Sequence, residues 1–274
     1  MGLLSEMRAA SLERAATARE RVPEAALRAA LLATSPPLPL RLSPEGFDVI
    51  AELKLRSPSS GDLSGTTRDL VRRLEAYAAG GAVACSILTE PTRFDGDVEH
   101  LRLAAATLRP LGVPAMRKDF LVDPYQVIEA RVHGASGVLL IVRLVSRPLL
   151  EEMLDVAAAL GMFVLLEAFD AEDLELAASL AAERSGRDEQ VLMGLNCRDL
   201  ESLDIQFGRF DSLRSLLPPR WPAVAESGVQ TTGDAALVAS LGYRLALVGT
   251  SLMRRPDPEL ALRELICVGR EARR

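Results

Sequence analysis

VPAMRKDFLVDPYQVIEARVHGASGVLLIV (Val113–Val142) holds one complete structural unit. Val113–Met116 and Gly137–Val142 are short, continuous apolar runs, as expected of strands covered on both faces. Between them, Asp123-Pro124 predicts a helix start, an N-cap followed by a first-turn proline, and Gly134 predicts its end. Strand, helix and strand in succession form a parallel crossover unit.

The pattern repeats in both directions. Apolar runs recur at Phe47–Leu53, Ala82–Leu88, Met162–Leu166, Val191–Leu195, Pro222–Ala225 and Leu245–Val248, which makes eight predicted strands. Thr67 is placed to cap a helix with Leu70, Val71, Leu74, Tyr77 and Ala78 on one face. Ser146 opens another that Gly161 closes, and Thr232 opens one with Leu237, Val238 and Leu241 inward. The segment Phe210–Leu217 has the weakest helical pattern. Strand–helix units in this number predict an α/β protein, a single (β/α)8 TIM barrel. A doubly wound open sheet would carry a glycine-rich loop after its first strand, and Glu52-Leu53-Lys54 is no such loop. Residues 3–32 alternate Leu/Ala with Arg/Glu at helical spacing, and four prolines between Thr34 and Pro44 interrupt that pattern. The expected division is an N-terminal helical extension over 1–46 and a barrel over 47–274, forming one domain overall.

Of the 274 residues (29.5 kDa), 49% are hydrophobic and 26% charged, which excludes a disordered or collagen-like chain. Val138–Val142 is far shorter than the roughly 20 apolar residues that cross a bilayer. Glu6 and Glu13 lie among the N-terminal arginines with no apolar run nearby, so a cytoplasmic protein without a secretory signal is expected. The net charge of −6 argues against general nucleic-acid binding. Cys85, Cys197 and Cys267 are too widely spaced for a disulfide framework or a zinc site. No metal, membrane or obligate protein partner is expected.

The basic residues are more telling: of 32, only Lys54 and Lys118 are lysines, and the rest are arginine. Arginine substitutes for lysine as a surface charge but not as a compact, titratable ammonium. Both lysines fall at predicted strand ends, where a barrel carries its chemistry. The other ends are also polar: Glu52 and Ser57 at the first, Ser86 at the second, Arg117-Lys118-Asp119-Phe120 at the third, Glu167 at the fifth, Asn196 at the sixth and Glu226-Ser227 at the seventh. Glu52 and Lys54 are two apart and share a strand face. They line the barrel mouth or form a buried ion-pair layer that only closes the barrel. Ser227-Gly228 and Gly249-Thr250-Ser251 follow the last two strands, where barrels commonly bind phosphate through backbone N–H groups. His100 and His133 lie in helical segments, away from the strand ends.

IAELKLRSPSSG (Ile50–Gly61), SILTE (Ser86–Glu90) with FDG (Phe94–Gly96), RKDFLVDPYQ (Arg117–Gln126), GLNCRDL (Gly194–Leu200), AESGV (Ala225–Val229) and VGTSLMR (Val248–Arg254) occur in this order. Together they resemble the indole-3-glycerol phosphate synthase family of tryptophan biosynthesis along nearly the whole chain. The resemblance implies a carbon–carbon lyase, a carboxy-lyase that acts on 1-(2-carboxyphenylamino)-1-deoxyribulose 5-phosphate. It closes the ring, loses carbon dioxide and water, and needs no cofactor. It implies Lys118 as general acid, with a pKa lowered by desolvation, and Lys54 as partner of the substrate carboxylate. Glu167 is implied as the acid–base residue of the dehydration, positioned with the substrate by Glu52 and Asn196. Substrate contacts are implied for Ser57, Ser86, Phe120, Arg198 and Glu226, and phosphate contacts for Ser227, Gly228, Gly249, Thr250 and Ser251. The extension is implied to cover the barrel mouth.

The chain departs from the family pattern at Leu55, Ser60, Arg143, Ala168-Phe169 and Cys197, and none of these removes a catalytic candidate. Three alternatives stand beside this expectation. They are a divergent paralogue acting on a related substrate, another phosphate-binding barrel such as a phosphoribosyl isomerase, and a catalytically silent protein that binds a phosphate ligand.

Overall fold

The computed structural model describes residues 2–57, 61–62, 67–199 and 202–273. Eight parallel strands close into a barrel: β1 (Asp48–Leu53), β2 (Ala84–Leu88), β3 (Ala115–Lys118), β4 (Gly137–Ile141), β5 (Phe163–Ala168), β6 (Val191–Asn196), β7 (Ala223–Glu226) and β8 (Leu245–Val248). β1 pairs with both β2 and β8, which completes the ring. The predicted (β/α)8 barrel is therefore the observed one.

Four strands run further than their apolar runs. β3, β5, β6 and β7 continue through Lys118, Glu167, Asn196 and Glu226, because the parallel ladder does not stop at the polarity change. Leu88 is in register with Lys118, and Asn196 with Glu226. Alternation then fixes where the polar side chains go. Ile50, Ala84, Met116, Leu165, Leu192, Val224 and Leu247 belong to one interior cluster. Glu52, Ser86, Lys118, Glu167, Glu226 and Gly249 each follow one of these by two residues, and Asn196 follows Leu192 by four. All but Ser86, above which Leu88 follows on the same strand face, fall in the uppermost interior layer. The alternate residues, among them Val49, Cys85, Val138 and Leu166, pack outward against the helices.

The helices are α1 (Leu3–Arg21), α2 (Glu24–Ala30), α3 (Thr67–Ala79), α4 (Pro91–Phe94), α5 (Val98–Leu108), α6 (Pro124–Val132), α7 (Arg147–Ala159), α8 (Ala171–Glu183), α9 (Arg209–Ser212), α10 (Thr232–Ser240), α11 (Thr250–Met253) and α12 (Pro258–Arg273). The Asp123 carboxylate accepts from Tyr125 N–H, so the predicted cap of α6 is in place. Ser146 precedes α7 without a side-chain cap bond, and Thr67 is the first helical residue of α3. α10 begins differently from expectation. Thr231 is its cap, and Thr231 and Asp234 satisfy each other's backbone N–H groups in a capping box. Leu237 is 48% exposed, so it faces solvent where inward packing was expected. The weak segment after β6 is the four-residue α9 followed by a 3-10 turn at Arg214–Leu216.

The first helices divide their contacts between the two ends of the barrel. α1 lies against the loops after β2 and β3, and Leu27 of α2 packs with Tyr125 and Ile128 of α6. The proline-bearing stretch then passes the opposite end. There Leu38 N–H donates to Ser136 Oγ at 2.9 Å, and Leu40 joins the interior cluster. Among the described residues, no helix is long and apolar enough to cross a membrane.

Candidate active site

A cavity of about 170 Å³, open to solvent, occupies the C-terminal end of the barrel. Its lining includes Glu52, Lys54, Lys118, Phe120, Glu167, Asn196, Arg198, Glu226, Ser227, Gly228, Gly249, Thr250 and Ser251. All but two of the sequence-derived candidates therefore meet in one space. Ser86 points inward but is fully buried beneath the cavity, and its Oγ has no hydrogen-bond partner. The Ser57 side chain lies outside the described residues, as does Ser60.

Two ammonium–carboxylate groups organise the floor. Lys54 Nζ donates to Glu52 Oε1 at 2.5 Å, and both side chains face the cavity, so the pair does more than close the barrel. Burial would raise the Glu52 pKa, but Lys54, with Lys118 behind it, overrides this and holds it below the usual carboxylate range. Lys118 Nζ stands 3.6 Å from Glu167 Oε1 and 3.5 Å from Glu226 Oε2. Asn196 Nδ2 donates to Glu167 Oε1 at 2.5 Å, which fixes that carboxylate from the other side. Asn196 Oδ1 in turn accepts from the Arg198 backbone N–H at 3.0 Å.

The protonation expectation for Lys118 is reversed. Burial does push its pKa down, but Glu167, Glu226 and Glu52 outweigh burial and hold it above the ordinary lysine value. These carboxylates lie far apart in the sequence and converge on Lys118 only in the closed barrel. Glu226 moves the opposite way to Glu52. Burial first, and then the Glu167 charge, push its pKa well above normal, with Lys118 only partly opposing. The layer thus sets three carboxyl groups, Glu52, Glu167 and Glu226, against two ammonium groups, Lys54 and Lys118.

Glycine makes this layer possible. A Cβ on Gly249 would collide with Glu52 Oε1 and come within 3.0 Å of Lys54 Nζ. A Cβ on Gly194 would occupy the position of Glu226 Oε1. Ser227 adopts a left-handed backbone, φ 61°, immediately after Glu226. A non-glycine residue there costs about 1–3 kcal/mol and is held by its surroundings. Cys197 Sγ packs against the Ser227 carbonyl at 3.2 Å, and burial pushes its thiol up to about 12.

Several cavity residues escaped the sequence reading. Leu3 of α1, Phe94, Phe169, Leu203 and Ile205 line the space. Leu3 and Leu203 carry no chemical signature, whereas Phe94 sat within a quoted motif. Arg143 ion-pairs with Asp170 and Asp173 and lies over the Phe169 ring at 5.5 Å. It borders a neighbouring cavity with Arg198 and Arg209. Among the described residues, neither histidine lines either of these cavities, and no group of His, Cys, Asp and Glu is arranged to hold a metal ion.

An acid–base cluster at the C-terminal rim of a closed parallel barrel is the architecture of a (β/α)8-barrel enzyme. Comparison with known proteins is more specific. Residues 4–265 match the family model described as indole-3-glycerol phosphate synthase. The chain is 42% identical over 242 residues to the indole-3-glycerol phosphate synthase of Nocardioides sp., covering 87% of this chain and 88% of that one. It is 38% identical over 245 residues to the enzyme of the same name from Mycobacterium avium, covering 89% and 86%. The chain belongs to the indole-3-glycerol phosphate synthase family. Among solved structures it is similar to 3-hexulose-6-phosphate synthase from Salmonella typhimurium (TM-score 0.63, 12% identity, 81% of this chain and 97% of that one). It is also similar to phosphoribosyl anthranilate isomerase from Thermotoga maritima (TM-score 0.53, 13% identity, 81% and 99%). At such identities these two likenesses speak for the fold alone.

Proposed function

We propose that this chain converts 1-(2-carboxyphenylamino)-1-deoxyribulose 5-phosphate to indole-3-glycerol phosphate, releasing carbon dioxide and water. It is then a carboxy-lyase that works by general acid–base catalysis in the cytoplasm, with a small phosphorylated molecule as its partner. The observation that carries this reading is the convergence of Lys118, Glu167 and Glu226 beside the Glu52–Lys54 pair in one cavity of a family member.

In this scheme the phosphate is held by the backbone and hydroxyls of Ser227, Gly228, Gly249, Thr250 and Ser251. The aromatic ring stacks on Phe120, within an apolar wall that includes Phe94 and Ile141. Ser57 and Glu226 complete the substrate contacts, and Ser86, buried beneath the cavity, supports its floor. Lys54, aided by Arg198, faces the substrate carboxylate until it departs. Ring closure turns the ketose carbonyl into an alkoxide, and Lys118 donates the proton it needs. The raised pKa favours the charged form of Lys118, which is the form that donates the proton. Glu167, held by Asn196, moves the protons of the final dehydration, with Glu52 orienting the substrate hydroxyls. Residues 1–46 supply a cover for the mouth through α1, whose Leu3 reaches the cavity. No cofactor enters the scheme.

A fluorescence assay for indole-3-glycerol phosphate tests the proposal. Wild-type protein should turn over the carboxyphenylamino substrate. Lys118→Ala and Lys118→Arg should each lose about 10²–10⁴-fold in kcat, because arginine keeps the charge but cannot release its proton. Near-normal turnover in Lys118→Arg would remove the general-acid role. A folded wild-type protein that binds the substrate without converting it would instead support the paralogue alternative.

A further inference from the structure

We propose that Arg14, on the N-terminal helix α1, is a positioning residue of the active site. It braces the two loops that carry Lys118–Phe120 and Phe94. The proposal rests on the reaction assigned above and extends its machinery to a helix outside the barrel.

The geometry is a chain of buried polar contacts. Arg14 Nη2 donates to Asp119 Oδ1 at 2.7 Å, and Nη1 reaches Glu90 Oε1 at 3.5 Å. Both acids are buried, Asp119 3% and Glu90 0% exposed. Asp119 directly follows Lys118. Its Oδ1 also accepts the Phe120 N–H at 2.8 Å, and its Oδ2 accepts Thr89 Oγ1 at 2.8 Å. The Thr89 N–H returns to the Lys118 carbonyl at 3.0 Å. The buried Arg117 guanidinium holds Asp119 and Thr89 from below. Glu90 caps α4 through the N–H groups of Thr92 and Arg93, and α4 ends at Phe94. A single guanidinium therefore spans the loop after β2 and the loop after β3. Phe94 and Phe120 project into the cavity from those loops.

The chemistry requires arginine at this position. Its planar fork reaches two acids at once, whereas a lysine ammonium is a point charge that satisfies one. Without it, Glu90 and Asp119 would be left as buried acids from two loops, short of a shared cation. They would relax apart and move the lysine and both rings. A displacement of about 1 Å at a reacting group can cost on the order of 10²-fold in rate.

The test compares Arg14→Ala and Arg14→Lys with Arg19→Ala. Arg19 lies on the same helix and pairs with the α6 cap Asp123 at 2.6 Å, and it touches neither Glu90 nor Asp119. Arg14→Ala should lower kcat at least tenfold with a smaller change in KM, Arg14→Lys should recover only part of the loss, and Arg19→Ala should stay within twofold of wild type. Amide hydrogen exchange of the substrate-free protein gives a second readout. The Phe120, Thr92 and Arg93 amides should exchange faster in Arg14→Ala but not in Arg19→Ala. If Arg14→Ala matches Arg19→Ala in both kinetics and exchange, the brace does not exist. If the wild type lacks the assigned activity, the reaction falls while the exchange contrast still decides the brace.

Discussion

Glu226 carries the clearest conflict between stability and function at the residue scale. Neither of its carboxyl oxygens has a close hydrogen-bond partner among the described residues, and Lys118 Nζ is its ion-pair partner at 3.5 Å. Its folded-state pKa lies well above the unfolded value, first from burial and then from Glu167. Below the unfolded pKa of about 4.3, both states are protonated and the group is neutral to folding. As pH rises past that value the unfolded chain ionises first, so stability is lost up to the folded pKa. Glu226→Gln removes this penalty and leaves a neutral isostere. Its melting temperature should match wild type near pH 4 and exceed it by a few degrees near pH 8, while kcat falls. Thermal melts across this range check the sign, and equal differences at both pH values would remove the linkage. Lys118, Glu167 and Asn196 were legible in the sequence because polar residues interrupt apolar runs where strands end. Gly194 was not, because its requirement comes from the Glu226 side chain on the next strand.

At the scale of elements, the helix stops and caps were legible wherever one residue did the work, as with Asp123 before α6. They were misplaced where two neighbours could serve: Thr231 and Thr232 are both competent caps, and the Asp234 partnership selects Thr231. The path of residues 34–44 was not legible at all, because its anchors are single side chains far away in the sequence. Gln190, just before β6, is the main one. Its Oε1 accepts the Leu40 N–H at 3.2 Å, and its Nε2 donates to the Leu40 carbonyl at 2.9 Å. Leu40 is 3% exposed and part of the interior cluster. Gln190→Ala should cost about 1 kcal/mol, which is a fall of roughly 2–4 °C in Tm for a chain of this size. Its kcat should be unchanged, since the contact lies at the end of the barrel opposite the cavity. A calorimetric melt beside a kinetic assay separates the two effects, and a kcat loss without a Tm loss would contradict this placement.

For the whole molecule, the question is what closes a ring whose first and last strands lie far apart in sequence. The eightfold repeat made closure legible, but the repeat says nothing of the seam. At the seam β1 pairs with β8, with Asp48 opposite Leu245. The buried Asp48 carboxylate accepts the Ser43 N–H at 2.9 Å, Arg244 Nη1 at 3.0 Å and Arg270 Nη2 at 3.1 Å. Arg270 Nε also donates to the Phe47 carbonyl at 3.0 Å. One side chain thus ties the start of the barrel to the entry of its last strand and to the terminal helix α12. Removing it leaves two arginines, 17% and 26% exposed, without their buried acid. Loss of one partner from a buried pair costs about 3–5 kcal/mol, and their partial exposure places Asp48→Ala near the lower bound. Its Tm should fall by roughly 6–12 °C. Asp48 opens β1 at the end opposite Glu52, so kcat measured at 25 °C on the folded protein should stay within about twofold of wild type. Parallel melting and turnover measurements decide this. A collapse of kcat in a protein that still melts cooperatively would mean that the seam and the catalytic rim are coupled, and that the barrel does not separate stability at one end from chemistry at the other.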